Sequence, residues 1–149
     1  MVPARCHPFM EEQVTHTDAA ARNLATTEAL YAATATGNWP LAETMLCDDL
    51  VITEAETLPF AGTYTGKGAL RDLYAKVLGT SLGQATIAVK NKMAAGNNVV
   101  YLLELVPPTG DPLELVEVFH FADDGRVSLI KPYYYNSAAV TAAVAAARG

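Results

Sequence analysis

Three glutamates stand where a carboxylate is unexpected. Glu104 interrupts the apolar run VVYLLELV, Glu117 sits inside LELVEVFHF, and Glu54 ends LVITE where a strand gives way to loop. If LELVEVFHF is a strand, alternation puts Leu115, Glu117, Phe119 and Phe121 on one face, and Glu114, Val116, Val118 and His120 on the other. A carboxyl among three large apolar side chains loses hydration, which raises its pKa and suits it to moving a proton near neutral pH. The strand alone leaves open which face looks inward. Glu54 and Glu56 at a strand end are as readily solvated as buried. Glu104 faces either a polar pocket or a partner across the sheet, and Lys131 is its obvious candidate. Tyr31 recurs at helical spacing with Leu24 and Leu30, the pattern of a core residue.

Other chemistries find no support. His7, His16 and His120 are scattered, with no two at ligand spacing on one element, so no metal site is expected. TGKGAL lacks the spacing of a phosphate-binding loop and reads as a helix start. No Ser-His-Asp or Cys-His set can be assembled. Cys6 and Cys47 are the only cysteines, and a disulfide between them is not expected in a reducing compartment.

The elements that would position these residues follow from periodicity. Residues 1–14 carry two prolines and no period and read as a tail, with one domain following over 15–149. A helix is predicted from Thr15 to a left-handed stop at Gly37, then a short helix WPLAETML capped by Asn38, with Trp39 covering the junction. LVITE has strand composition. In GKGALRDLYAKVLG, Leu70, Leu73, Tyr74, Val77 and Leu78 form one apolar helical face. Four strands joined by short turns span Ala85 to Tyr135, and an Ala-rich helix with Val140 and Val144 as anchors closes the chain. Helices first and a meander afterwards give an α+β domain whose bent sheet leaves a concavity. In IKPYYYN, Ile130, Pro132 and Tyr134 share one strand face, and Lys131, Tyr133 and Tyr135 the other; Pro132 suits a bulge or an edge.

With 149 residues and 51% hydrophobic content, the chain can bury a core without staples. A net charge of -6 and no basic cluster argue against nucleic acid and anionic membranes. No apolar run is long enough to span a bilayer, and MVPARCHPFMEEQ lacks a signal region, so a cytoplasmic protein is expected.

Three stretches in order, GNWPLAETMLCDDLVI (37–52), FAGTYTGKGALRDLY (60–74) and VFHFADDGRVSLIKPYY (118–134), resemble the nuclear transport factor 2-like superfamily, in particular its SnoaL-like branch. The resemblance covers about residues 17–136. It implies a cone: a curved antiparallel sheet wrapped around N-terminal helices, enclosing an apolar pocket. It also implies a homodimer through the outer sheet face, no cofactor, and a small apolar, polyketide-like or steroid-like ligand. Members include ketosteroid isomerases, polyketide cyclases, limonene epoxide hydrolases and non-catalytic binding domains, so fold alone does not assign function.

The residues discriminate among these activities. The Arg-x-Asp pair of the epoxide hydrolases falls at Glu104 and Val106 and their acid at Pro132, so that chemistry is not expected. The isomerase pattern fits in part, with the base at or beside Glu54, the protonated acid at Glu117 and the tyrosine within one residue of Tyr31. The resemblance thus names Glu54, Glu117 and Tyr31 as catalytic candidates. It implies a pocket wall of Ile52, Glu104, Val106, Leu115 and Phe119, continued by Ile130, Pro132, Tyr134 and Trp39. The expected activity is cofactor-independent isomerisation, cyclisation or dehydration; the alternative is ligand binding or dimeric association without turnover.

Overall fold

The helical spacing around Leu30 and Tyr31 produces α1 (Val2–Ala35) in a computed structural model that describes the backbone of residues 2–148 and the side chains of residues 18–145. The helix is drawn from Val2, ahead of the start suggested at Thr15. The stretch 1–14 read as a tail, together with Cys6, lies outside the residues whose side chains are described. Gly37 ends α1 as its sequence requires: its φ is +69°, its N–H donates to Thr34 C=O at 3.1 Å, and Asn38 N–H donates to Ala33 C=O at 2.8 Å. Only a residue without a Cβ takes that backbone cheaply.

Asn38 caps α2 (Trp39–Thr44) by accepting from Leu41 N–H at 3.3 Å, with Pro40 in the first turn, where an amide hydrogen has no helical acceptor. This helix is shorter than WPLAETML. Leu46 begins β1 (Leu46–Glu54), and Leu46, Leu50 and Ile52 are fully buried along it, each contributing roughly 1.5–3 kcal/mol of burial. A short strand not foreseen in TLPFAGTY, β2 (Gly62–Thr65), pairs with the end of β1. Then come α3 (Ala69–Leu78), a 3-10 turn at Ser81–Gln84, and β3 (Thr86–Ala95), β4 (Asn98–Val106), β5 (Leu113–Phe121) and β6 (Val127–Tyr134). The chain closes with α4 (Ser137–Arg148).

The six strands form one sheet in the order β2-β1-β6-β5-β4-β3. All neighbours are antiparallel except β1 and β6, which run parallel, so the sheet is mixed. Register shifts interrupt the β1–β6, β3–β4 and β5–β6 ladders. Such irregularities bend strands, and a bent sheet acquires a concave side. Helix α1 lies against β3 and β4, and α3 against β1 and β2. The core therefore lies between concave sheet and helices, with Leu30, Leu73, Val99, Leu103, Phe119 and Val127 among its buried members.

Pro132 corrects an expectation. The last strand by sequence is not an edge of the sheet, because β6 lies between β5 and β1, and the β5–β6 shift falls at His120/Phe121, away from the proline. Ladder parity explains the tolerance. Tyr135 N–H donates to Glu114 C=O at 3.0 Å, so bonded pairs recur at odd positions of β6 and Pro132, opposite Glu117, falls on an unbonded pair. Its missing donor faces β1, near the point where β1 ends at Glu54.

Candidate functional site

A cavity of about 190 Å³ opens between the concave sheet and the helices. One water needs only about 10–15 Å³ in such a measure, so the cavity is many times larger than a single-water void. Its helical wall comes from α1 (Leu30, Tyr31, Thr34) and from the α3 face named by periodicity (Leu70, Leu73, Tyr74, Val77, Leu78). Leu82 and Gly83 of the 3-10 turn close one side. Leu78 is 62% exposed and Ile87 45% exposed although both line the cavity, which puts its mouth between the end of α3 and β3.

The floor is built by strand register. Glu117 on β5 lies opposite Tyr101 on one side and Pro132 on the other, and Ile52 on β1 pairs with Ile130 on β6. Continuing that parallel register by two residues sets Glu54 beside Pro132. Glu54 and Glu117 thus flank the proline from the strands on either side, with backbones roughly 10 Å apart at two strand spacings. Both carboxyls line the cavity, as do Ile52, Leu115, Phe119, Ile130, Pro132 and Tyr134.

Glu54 is 4% exposed and its Oε2 has no hydrogen-bond partner among the described residues. Burial, reinforced by the negative charge of Glu117, pushes its carboxyl up to about 8. Glu117 is also raised by burial, partly offset by the Tyr31 hydroxyl, which donates to Glu117 Oε1. Tyr31 is held by its neighbours. Its ring centroid lies 4.8 Å from that of Tyr101 and 5.8 Å from that of Phe119, the latter edge-on. Its carbonyl accepts from Thr34 Oγ1 at 3.0 Å, and Tyr74 donates to Thr34 Oγ1 at 3.2 Å. Burial and the negative field of Glu117 drive the Tyr31 phenol far above its ordinary range. Tyr134 is likewise driven up by burial, then by Glu54 and Glu117, and packs edge-on to Phe60 at 6.2 Å. These phenols stay protonated at any ordinary pH, so they act as hydrogen-bond donors.

Three expected wall residues lie elsewhere. Glu104 projects from the opposite face of β4, because Tyr101, Leu103 and Leu105 take the inner positions. There it pairs with Lys90 at 3.7 Å and not with Lys131, whose ammonium lies over the Tyr133 ring at 5.4 Å. Val106 shares the outer parity of Glu104. Trp39 packs edge-on to Tyr74 at 5.3 Å, behind the wall, and covers the helix junction. In their place stand Thr34, Phe60, Tyr74, Leu103 and Leu105. The α3 periodicity already marked Tyr74, and plain alternation in VVYLLELV would have turned Glu104 outward.

Among the described residues no cluster of His, Cys, Asp or Glu could hold a metal ion, and no helix is long and apolar enough to cross a membrane. Cys47 is a buried free thiol whose Sγ points to Arg126 C=O at 3.7 Å.

The chain matches the SnoaL-like domain family over residues 27–130. No curated protein sequence matches it. Among solved structures, an NTF2-like protein from Burkholderia xenovorans LB400 superposes with a TM-score of 0.69 at 18% identity, covering 84% of this chain and 97% of that one. A proposed ketosteroid isomerase from Kribbella flavida DSM 17836 gives 0.62 at 17% identity, covering 78% and 80%. A computationally designed 17-OHP binder gives 0.60 at 16% identity, covering 79% and 94%. At these identities the likeness concerns the fold. With its family match spanning most of the chain and its sheet and helices arranged as in these structures, the protein belongs to the SnoaL-like domain family and has the nuclear transport factor 2-like fold.

Proposed function

We propose that the cavity binds a small, largely apolar carbonyl compound and moves a proton on it without a cofactor, in an isomerisation, cyclisation or dehydration. One observation carries this reading: Glu54 presents a buried, unpartnered carboxyl oxygen at a ligand-sized cavity, with its titration shifted close to neutral pH. A carboxyl tuned to about 8 keeps an ionised fraction near neutral pH, and that carboxylate can take a proton from one carbon and, once protonated, return it to another without a large energetic mismatch. In this reading Glu54 carries the proton between carbon centres. Tyr31 and Glu117 form the hydrogen-bonded pair that stabilises negative charge developing on the substrate oxygen, the desolvated site strengthening that interaction. Tyr134 is a second donor.

The test is proton exchange in deuterated water on a β,γ-unsaturated ring ketone, followed by NMR. The wild-type protein should exchange the α-protons, and Glu54→Gln and Glu117→Gln should each slow exchange about 100-fold or more, the usual scale of general acid-base catalysis. Exchange retained in both variants removes the proposal.

A second reading, binding without turnover, is favoured by the designed 17-OHP binder, which places ligand recognition on this fold without a named reaction. Ligand binding with no exchange in the wild-type protein would select it.

A further inference from the structure

Among the described residues, no lysine, arginine or histidine lines the cavity. Described cations near the cone are engaged elsewhere: Lys76 over the Tyr64 ring at 4.9 Å, Lys90 with Glu104, and Arg71 with Glu43. The ionisable and polar groups that do face the cavity are the carboxyls of Glu54 and Glu117 and the hydroxyls of Tyr31, Thr34, Tyr74 and Tyr134. Such a set offers hydrogen bonds of both polarities and no positive charge. A fully ionised carboxylate or phosphate entering it sheds its water for hydrogen bonds alone, with no cation to balance the charge, and it does so beside two groups that are themselves negative when ionised.

We propose that the cavity takes its ligand in uncharged form, and that Glu54 and Glu117 are the residues that turn away carboxylates and phosphate esters. The inference rests on the reading of the cavity as a ligand site, and not on turnover there. A cationic ligand is the remaining charged alternative. Two observations oppose it: Tyr31 already donates to Glu117 Oε1, and burial raises both carboxyls, that of Glu54 to about 8, so Glu54 is mostly neutral near neutral pH. The apolar wall, from Leu70 and Leu73 to Leu103 and Phe119, solvates an ammonium no better than a carboxylate.

Three probes of one shape separate the cases, titrated by calorimetry into the full chain: naphthalenemethanol against naphthoic acid at about pH 9.5, where Glu54 is ionised, and naphthylmethylamine against the alcohol at about pH 6, where Glu54 holds its proton. The alcohol should bind, and the acid should bind about thirtyfold more weakly, the size of charge repulsion across roughly 8 Å at an effective dielectric of ~20. The amine should bind no tighter than the alcohol. Glu54→Gln, and the double variant with Glu117→Gln, should each shrink the alcohol-to-acid ratio, with a thermal melt checking that they fold; the single variant serves if the double does not. An acid that binds as well as the alcohol, an amine that binds tighter, a ratio unchanged in Glu54→Gln, or no binding of the alcohol at its solubility limit would each overturn the proposal. Charge selection intact with no proton exchange rejects only the catalytic reading. Exchange intact with the acid well bound rejects only this inference.

Discussion

Glu54 makes a stability prediction that requires no substrate. Its carboxyl titrates at an ordinary 4.5 in the unfolded chain and at about 8 in the folded one. Below 4.5 it is protonated in both states and burial of the neutral acid costs little. As pH rises from 4.5 to 8 the unfolded chain releases the proton while the folded chain retains it, so stability falls through that window and levels off above it. Glu117, also raised, acts in the same direction. At ~1.4 kcal/mol per unit the loss attached to Glu54 is on the order of a few kcal/mol, and a domain of this size shifts its Tm by roughly 2–4 °C per kcal/mol. The wild-type Tm should therefore drop several degrees more than that of Glu54→Gln between pH 5 and 8.5. Parallel Tm curves for the two proteins would mean that the carboxyl is solvated.

At the scale of elements, α4 shows how tertiary contacts complete what propensity begins. An Ala-rich helix of this length is marginal alone. It is held by Val140 and Val144, both buried, and by hydroxyl contacts: Ser81 donates to Ala143 C=O at 3.2 Å and Thr141 to Thr57 C=O at 3.2 Å. The helix thereby packs on the 3-10 turn whose Leu82 and Gly83 close the cavity. Val140→Ser removes buried apolar surface and adds a hydroxyl without a partner, so urea unfolding should show a loss of about 2–3 kcal/mol. A loss under about 0.5 kcal/mol, the level of an ordinary surface substitution, would mean that α4 is not docked. Elements of this kind are legible in sequence because they rest on local period: the α3 face, the meander strands and the Gly37 stop follow from spacing. Alternation grouped Glu117 with Leu115 and Phe119, and Pro132 with Ile130 and Tyr134, but left open which face is the inner one. Carrying positions through a hairpin by resemblance misplaced Glu104 and Val106, since a one-residue slip turns them from the inner face to the outer, where alternation in their own strand puts them. The central place of β6 was hidden too, because β1 pairs with it in parallel across most of the chain and no local signal announces such a contact.

At the scale of the molecule, the convex side of the sheet is the large surface that the described residues leave uncovered. Leu102, Val116 and Val118 are only half-buried there, while Tyr133 of β6 and Tyr135 just beyond its end stand exposed. Lys90, Glu104, Glu114 and Lys131 lie on the same side. A surface carrying an apolar centre and both signs of charge can meet its own copy about a twofold axis without setting like charges against one another. The expected assembly is a homodimer through this face, with roughly 800 Å² buried per partner if it is stable. Light scattering on a sizing column at micromolar concentration should give twice the chain mass. Val118→Glu should halve it, because the new charge sits at the centre of the face, and should leave the cavity's ligand affinity unchanged, because odd and even positions of β5 point to opposite sides. A wild-type monomer would reject the dimer outright. A Val118→Glu dimer would move it to another surface, and the exposed Tyr133 and Tyr135 would then need a different partner.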